Sequence, residues 1–226
     1  VMKTMLKQTS LAIAVVAGVL ASPSLQAAPQ DAQLVSVQRE VGAFKSIELS
    51  GPYRVVIKAQ GRNALSLTGV RKDLADIQTY VSGDTLVVRP VKRAGFFFFG
   101  VHKARDMVTI HISAPVLASL TTSGSGDVEL DQVSGQRFAV MLNGPGDVRA
   151  SGVVGDLHVT SAGSGDLDLK AVRATRATLN MSGPGDVSVA DISGALVATV
   201  SGSGELEAQR LRLARQNLAA SNRVLT

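Results

Sequence analysis

The stretch "SGSGDVEL" occupies residues 123–130, and near-copies follow it: "NGPGDVRA" at 143–150, "AGSGDLDL" at 162–169, "SGPGDVSV" at 182–189 and "SGSGELEA" at 201–208. The first glycines of the five units are Gly124, Gly144, Gly163, Gly183 and Gly202, so the successive spacings are 20, 19, 20 and 19 residues. A fixed period of this length is the signature of a solenoid, whose single coil has almost no interior and is stable only when stacked on others. The Gly-x-Gly-acid unit is therefore either a ligand loop used five times or a corner turned five times.

The flanks favour the corner. Four residues after each first glycine stand Val128, Val148, Leu167, Val187 and Leu206; six after stand Leu130, Ala150, Leu169, Val189 and Ala208. Between them lie Glu129, Arg149, Asp168, Ser188 and Glu207, so each unit alternates apolar and polar residues as a half-buried strand does. A second strand precedes each glycine, with Phe138, Val140 and Leu142, then Leu157, Val159 and Ser161, then Ala177, Leu179 and Met181, then Leu196, Ala198 and Val200 on its inner face. The opposite face carries Thr160, Thr178, Asn180 and Thr199, which suit a solvated sheet. A third ladder nine residues after the glycine holds Val133, Val153, Val172, Ile192 and Leu211, with Gly135, Gly155 and Gly194 two places later. The pattern predicts an all-β fold, a parallel β-helix or β-solenoid with coils of about 20 residues, stacked about 4.8 Å apart. A flat two-sheet β-roll or a meander of hairpins would share the first two ladders; the third favours the helix.

The same register continues upstream less regularly. In "FKSIELSGPYRVVIKAQG", Ile47, Leu49, Gly51, Val55 and Ile57 take the ladder and corner positions, and "ALSLTG" at 64–69 repeats the approach to a corner. The segments 82–90 and 107–115 read as strands around an irregular insertion. Downstream of 208 the glycine corner is lost and helix formers enter, as in a terminal cap that covers the last open edge. The expected organisation is a signal peptide at 1–27, a lead-in at 28–43, irregular solenoid coils at 44–115, regular repeats at 116–208 and a C-terminal cap or tail at 209–226.

The signal peptide rests on Lys3 and Lys7, the apolar run "LAIAVVAGVLA" at 11–21, and a small-residue cut after Ala27. That run is shorter than the roughly 20 apolar residues of a membrane-spanning helix, so the expectation is export to the periplasm, envelope or exterior with no transmembrane span in the mature chain. The chain has 226 residues, 45% hydrophobic and 4% aromatic, and no cysteine, so packing alone must hold the core. Its net charge of +5 falls to +3 without Lys3 and Lys7, and basic residues do not alternate with aromatics, which excludes a nucleic-acid groove.

Chemistry at the repeats is sparse. A phosphate loop would lead into a helix, whereas here a strand follows. Calcium-binding β-rolls use a nine-residue unit with a different Gly–Asp order. The corner residues, Gly124, Gly126 and Asp127, Gly144, Gly146 and Asp147, Gly163, Gly165 and Asp166, Gly183, Gly185 and Asp186, Gly202, Gly204 and Glu205, are read as structural. Stacked carboxylates about 4.8 Å apart repel by around 1 kcal/mol in water. The expected relief is that each Asp accepts hydrogen bonds from the N–H groups of its own corner. His102, His111 and His158 are scattered, and no Gly-x-Ser-x-Gly or His-Glu-x-x-His motif occurs. No catalytic residue, metal ligand or cofactor is therefore predicted.

The stretch "KRAGFFFFGVHKARD" at 92–106 places Phe96, Phe97, Phe98 and Phe99 between glycines, with Lys92, Arg93, Lys103 and Arg105 outside them. A strand cannot bury all four on one face. Two face the core and two pack under a loop or cap, or else the four form an apolar interaction tip rimmed by charge.

As a set, "IELSGPYRVVIKAQG", "ISAPVLASLTTSGSGDVEL" and the "SGSGD" and "SGPGD" corners resemble the "putative auto-transporter adhesin, head GIN domain" family, a domain of unknown function in bacterial exported proteins, over residues 41–208. The resemblance implies a right-handed β-helical domain in the cell envelope with an adhesin role. Too few residues follow 208 for the strands of an outer-membrane barrel, so self-export is not expected. The functional expectation is a non-catalytic adhesin-like or structural module that meets a glycan, a cell-surface polymer or a protein, or that self-associates. The alternative is a carbohydrate-active lyase or hydrolase on a β-helix scaffold, with the row Glu129, Arg149, Asp168, Ser188, Glu207 as its working face.

Overall fold

A computed structural model describes residues 34–91 and 108–212, and the backbone alone of 215–220 and 224–225. The predicted signal peptide and the Phe96–Phe99 stretch lie outside the described residues, as does His102. The chain opens with β1 (Leu34–Arg39), β2 (Ser46–Leu49), β3 (Arg54–Lys58), β4 (Ala64–Val70), α1 (Arg71–Ala75), β5 (Ile77–Ser82), β6 (Thr85–Pro90) and β7 (Thr109–Ser113). It continues as β8 (Ser119–Thr122), β9 (Val128–Leu142), β10 (Val148–Ser161), β11 (Leu167–Met181), β12 (Val187–Ala190), β13 (Ile192–Val200), β14 (Leu206–Gln209), β15 (Arg215–Ala220) and β16 (Val224–Leu225). Together they form an all-β solenoid of about five turns, and the coil spacing matches the sequence period.

Two sheets meet at the glycine corner. Residues leaving the corner build one, in the order β1-β4-β7-β3-β9-β10-β11-β12-β14-β16. Residues approaching it build the other, from β5 and β6 through β2 and β8 to the far ends of β9, β10 and β11, then β13 and β15. Registers fall on the predicted ladders: Val128 on Val148, Val148 on Leu167, Leu167 on Val187 and Val187 on Leu206 in the first sheet. In the second, Phe138, Leu157, Ala177 and Leu196 stack in turn. These rungs are buried, and each Val or Leu so buried contributes about 1.5–3 kcal/mol relative to exposure. Two rungs are polar: Thr122 stacks on Leu142, and Ser161 lies between Leu142 and Met181, its buried Oγ without a hydrogen-bond partner among the described residues.

The third side departs from the expected ladder. Val133, Val172 and Ile192 are buried, but Val153 is 59% exposed. From the inward residue after one corner to the first inward residue before the next, Leu130 to Phe138 and Leu169 to Ala177 span eight positions, whereas Ala150 to Leu157 and Val189 to Leu196 span seven. The missing residue shifts the register: Gly152 pairs with Val133 and with Val172, and Val154 takes the interior place predicted for Val153. A slip of one position exchanges inside for outside.

The N-terminal region is also rearranged. Although β6 and β7 follow β3 in sequence, they lie on the far side of the β2–β3 coil, and β8 and β9 stack on its near side. The "ALSLTG" segment is not a corner: β4 runs antiparallel between β1 and β7, and Gly69 sits within it under the side chains of Val108 and Leu74. Arg39 of β1 donates to the carbonyls of Leu74 and Ile77 and to Thr79 Oγ1, tying β1 to α1 and β5. Burial lowers its pKa. At the other end, where helix formers pointed to a cap, the backbones of β15 and β16 continue the parallel stacks on β13 and β14.

Candidate functional site

At the corner the inside–outside alternation never stops. Gly144 and Gly146 are buried while Pro145 and Asp147 are exposed, and Gly163, Gly165, Gly183 and Gly185 repeat the pattern. The glycines point into the angle where two sheets converge, where the preceding coil's backbone already fills the space. A Cβ on Gly144, Gly163, Gly183 or Gly202 would stand 2.0–2.2 Å from the carbonyl oxygen of the preceding first glycine. Close approach is thus the requirement. These glycines do not use the left-handed region, which is populated elsewhere by Gly51 and Gly135.

The acidic residue plays a different part from the one expected. Asp147 Oδ1 accepts from the Asp166 N–H at 2.9 Å, Asp166 Oδ1 from the Asp186 N–H at 2.9 Å, and Asp186 Oδ1 from the Glu205 N–H at 2.7 Å. Each carboxylate caps the next coil's corner and not its own. The reason lies in the ladder: the second glycine's N–H reaches the preceding first glycine's carbonyl, as from Gly165 to Gly144, and the acidic residue's own carbonyl accepts from the preceding coil, as from Val148 N–H to Asp166. The acidic residue's N–H is then left without a backbone acceptor, and the side chain one coil back supplies it. Such charge-assisted bonds are stronger than neutral ones and offset the repulsion along the exposed row.

The first corner differs. Tyr53 stands where later coils have the second glycine, its carbonyl 1.9 Å from the place a Gly126 Cβ would occupy. Burial, reinforced by the charge of Asp76, pushes the Tyr53 hydroxyl up to about 12.

The outer surfaces of the two sheets contrast in charge. On the sheet leaving the corner, the row suggested for an enzyme is consumed by neighbour pairing: Arg54 with Glu129 at 2.8 Å, Arg149 with Asp168 at 3.3 Å, and Ser188 donating to Glu207 at 3.2 Å. Glu207 also meets Lys170 at 3.9 Å. Further pairs bridge coils on the third side, where Arg176 Nη2 donates to Asp156 Oδ2 at 2.9 Å and Arg210 Nε to Asp191 Oδ1 at 2.9 Å. The hydrogen bond from Arg176 holds the Asp156 carboxyl below its ordinary range. These bridges were not singled out in the sequence, although their signal is there: opposite charges one coil apart. Such exposed pairs contribute little to stability individually.

On the sheet approaching the corner, the outward positions from β8 to β13 are Ser119 and Thr121, Ala139 and Met141, His158 and Thr160, Thr178 and Asn180, Val197 and Thr199. They form two parallel rows without a carboxylate, ammonium or guanidinium. His111 lies apart on β7, beside Val56 and Ser66. Among the described residues no three acidic or imidazole side chains converge to hold a metal ion.

The model of the family described as "Putative auto-transporter adhesin, head GIN domain" matches residues 43–211. The chain belongs to this family. No curated protein matches it significantly. Among solved structures, the chain is similar to a protein described as a putative adhesin from Bacteroides fragilis, with a TM-score of 0.67 at 20% identity over 85% of this chain and 95% of that one. It is also similar to one from Parabacteroides distasonis described in the same words, with a TM-score of 0.52 at 14% identity over 86% and 97% of the two chains. At these identities the likeness shows the fold. Among the described residues no helix of the domain is long and apolar enough to cross a membrane.

Proposed function

We propose that the chain is a non-catalytic, exported binding module of the bacterial cell envelope, and that the uncharged sheet face is its contact surface for a glycan, a surface polymer or another protein. The observation that supports this reading is the pair of rows from β8 to β13, which lies on a rigid parallel sheet in a member of an adhesin head family. Thr and Ser offer hydroxyls that both donate and accept, and their short side chains lose little conformational entropy on contact. The solenoid holds them at a fixed spacing without a ligand present, so little ordering is left for binding to do.

Glycan-array binding of the purified protein, followed by turnover assays on every hit, tests the proposal. A bound, unmodified ligand is expected, and the double variant Thr160→Arg/Thr178→Arg is expected to abolish binding, whereas Arg149→Ala on the opposite sheet leaves it unchanged. Turnover of a bound glycan would overturn the non-catalytic reading, and binding that survives the double variant would remove the face from it.

A further inference from the structure

The alternation of long and short coils shapes the third side of the solenoid. The 183–202 coil is one residue shorter than the 163–183 coil on this side, and it is drawn in so closely that a Cβ on Gly194 would stand 2.7 Å from the Thr175 carbonyl oxygen. A groove of about 410 Å³ results, within the usual volume of ligand sites. Its floor includes Asp191 and Ser193 on the short coil, and Arg173, Thr175 and Arg212 stand on the coils to either side.

Charge in this groove is unbalanced. Asp191, its one carboxylate, is gripped by Arg210 through two bonds, at 2.9 and 3.2 Å. Arg173 is the neighbour of Asp191 on the other side, since the Ala174 N–H donates to the Asp191 carbonyl, yet the carboxylate is turned away from it. Arg173 and Arg212 are both exposed, and neither has a carboxylate partner among the described residues. Elsewhere on the solenoid Arg54, Arg149 and Arg176 have each found one.

We infer that this groove binds an anionic polysaccharide, with Arg173 and Arg212 each taking a carboxylate or sulfate from sugars along one chain. The guanidinium fork matches the paired oxygens of either group. The two arginines are two coils apart, about 10 Å along the solenoid axis, a separation that two linked sugars can span. Thr175 and Ser193 between them supply hydroxyls for sugar hydroxyls. The groove is open and crosses several coils, so it fits an extended chain better than a compact anion. None of its lining residues is aromatic, so it has no platform for stacking nucleobases.

Calorimetry of the purified protein at low salt tests the site with three oligosaccharide probes: a polyuronate, a sulfated chain and a neutral glucan. One or both anionic probes are expected to bind, the better one naming the anion, and the glucan is not expected to bind here. Arg173→Ala/Arg212→Ala should weaken the anionic probe at least about tenfold, the loss expected for fork-type ion pairs. The thermal midpoint should not change, because both side chains are exposed. Arg173→Lys/Arg212→Lys should recover only part of the binding, and Arg149→Ala should have no effect. Equal loss in Arg149→Ala would reduce the effect to general charge, and tighter binding of single-stranded DNA or of anionic phospholipid vesicles would assign the groove to another partner. Failure of both anionic probes to bind would overturn the inference. The uncharged face is tested separately, because Thr160→Arg/Thr178→Arg leaves this groove intact.

Discussion

Each coil bends at two places of different kinds. At the glycine corner the same residues return in every coil, and the backbones touch so closely that only hydrogen fits where a side chain would begin. Eight residues after the first glycine the chain bends again, and in four of the five regular coils the residue there, Gln132, Gly152, Asp191 or Arg210, has positive φ although only one of them is glycine; Ala171 in the 163–183 coil does not. The first bend is constrained by its neighbour above and below, so its sequence repeats. The second approaches its neighbour that closely only at Gly152, where a Cβ would stand 2.1 Å from the Val133 oxygen; its other residues vary, its length alternates, and a groove opens beside it. Repetition in the sequence therefore marks close contact made in every coil, and variation marks a bend where such contact is local and surface is left for other uses.

The sharpest way to break this contrast is to add one carbon atom at each kind of position. In Gly165→Ala the new Cβ would lie 2.1 Å from the Gly146 oxygen and 2.7 Å from its carbonyl carbon, both backbone atoms that can move only if the stack moves. A loss of about 3–5 kcal/mol is expected, read as a fall of roughly 10 °C in the thermal midpoint. Gly135→Ala has φ +139 but open space around it, and should cost about 1–2 kcal/mol of strain. Equal losses at the two positions would mean that conformational freedom, and not close approach, explains the corner glycines.

What was legible in the sequence follows the same division. The period, the two sheets and their inward rungs could be read because glycine and apolar residues recur at fixed distances from one another. The third ladder was misread at Val153 because absolute spacing from the glycine was used on a side where coils lose a residue. Counting back five residues from Leu157, the distance from Phe138 to Val133 and from Ala177 to Val172, reaches Gly152, which has no side chain to bury, so the interior place passes to Val154. The position of β6 and β7 beyond the β2–β3 coil leaves no periodic trace, since parallel pairing between distant strands is decided by which edges remain free. The carboxylate relay was also hidden: an Asp beside a glycine reads the same whether it caps its own coil or the next.

The pair Val172→Ser and Val153→Ser tests the slipped register directly. Val172 is fully buried, so the exchange removes apolar volume and leaves a hydroxyl in the core, with an expected cost of about 2–3 kcal/mol in denaturant unfolding. Val153 holds the same place by distance from the glycine but faces solvent, and its exchange should stay within about 0.5 kcal/mol. A cost at Val153 approaching that at Val172 would return the third ladder to the regular form.

The smallest effect is expected at Asp166, where two terms oppose. Its carboxylate accepts the Asp186 N–H at 2.9 Å, and that N–H has no backbone acceptor to fall back on. It also stands in a row of like charges with Asp147 and Asp186, each neighbour adding repulsion of around 1 kcal/mol in water before counterions screen it. Asp166→Ala removes both terms, so the lost bond and the relieved repulsion should leave a net destabilisation of about 1 kcal/mol or less. Asp166→Asn keeps an acceptor oxygen and removes the charge, so it should match or exceed the parent in stability at low salt, with the advantage shrinking as salt is added. If Asn and Ala variants unfold alike at every salt concentration, the relay contributes nothing and the acidic row is only a charged surface. If Asn is stable and Ala is not, the second half of the Gly-x-Gly-acid unit is a hydrogen-bond device that links each coil to the next, as the glycines link them by contact.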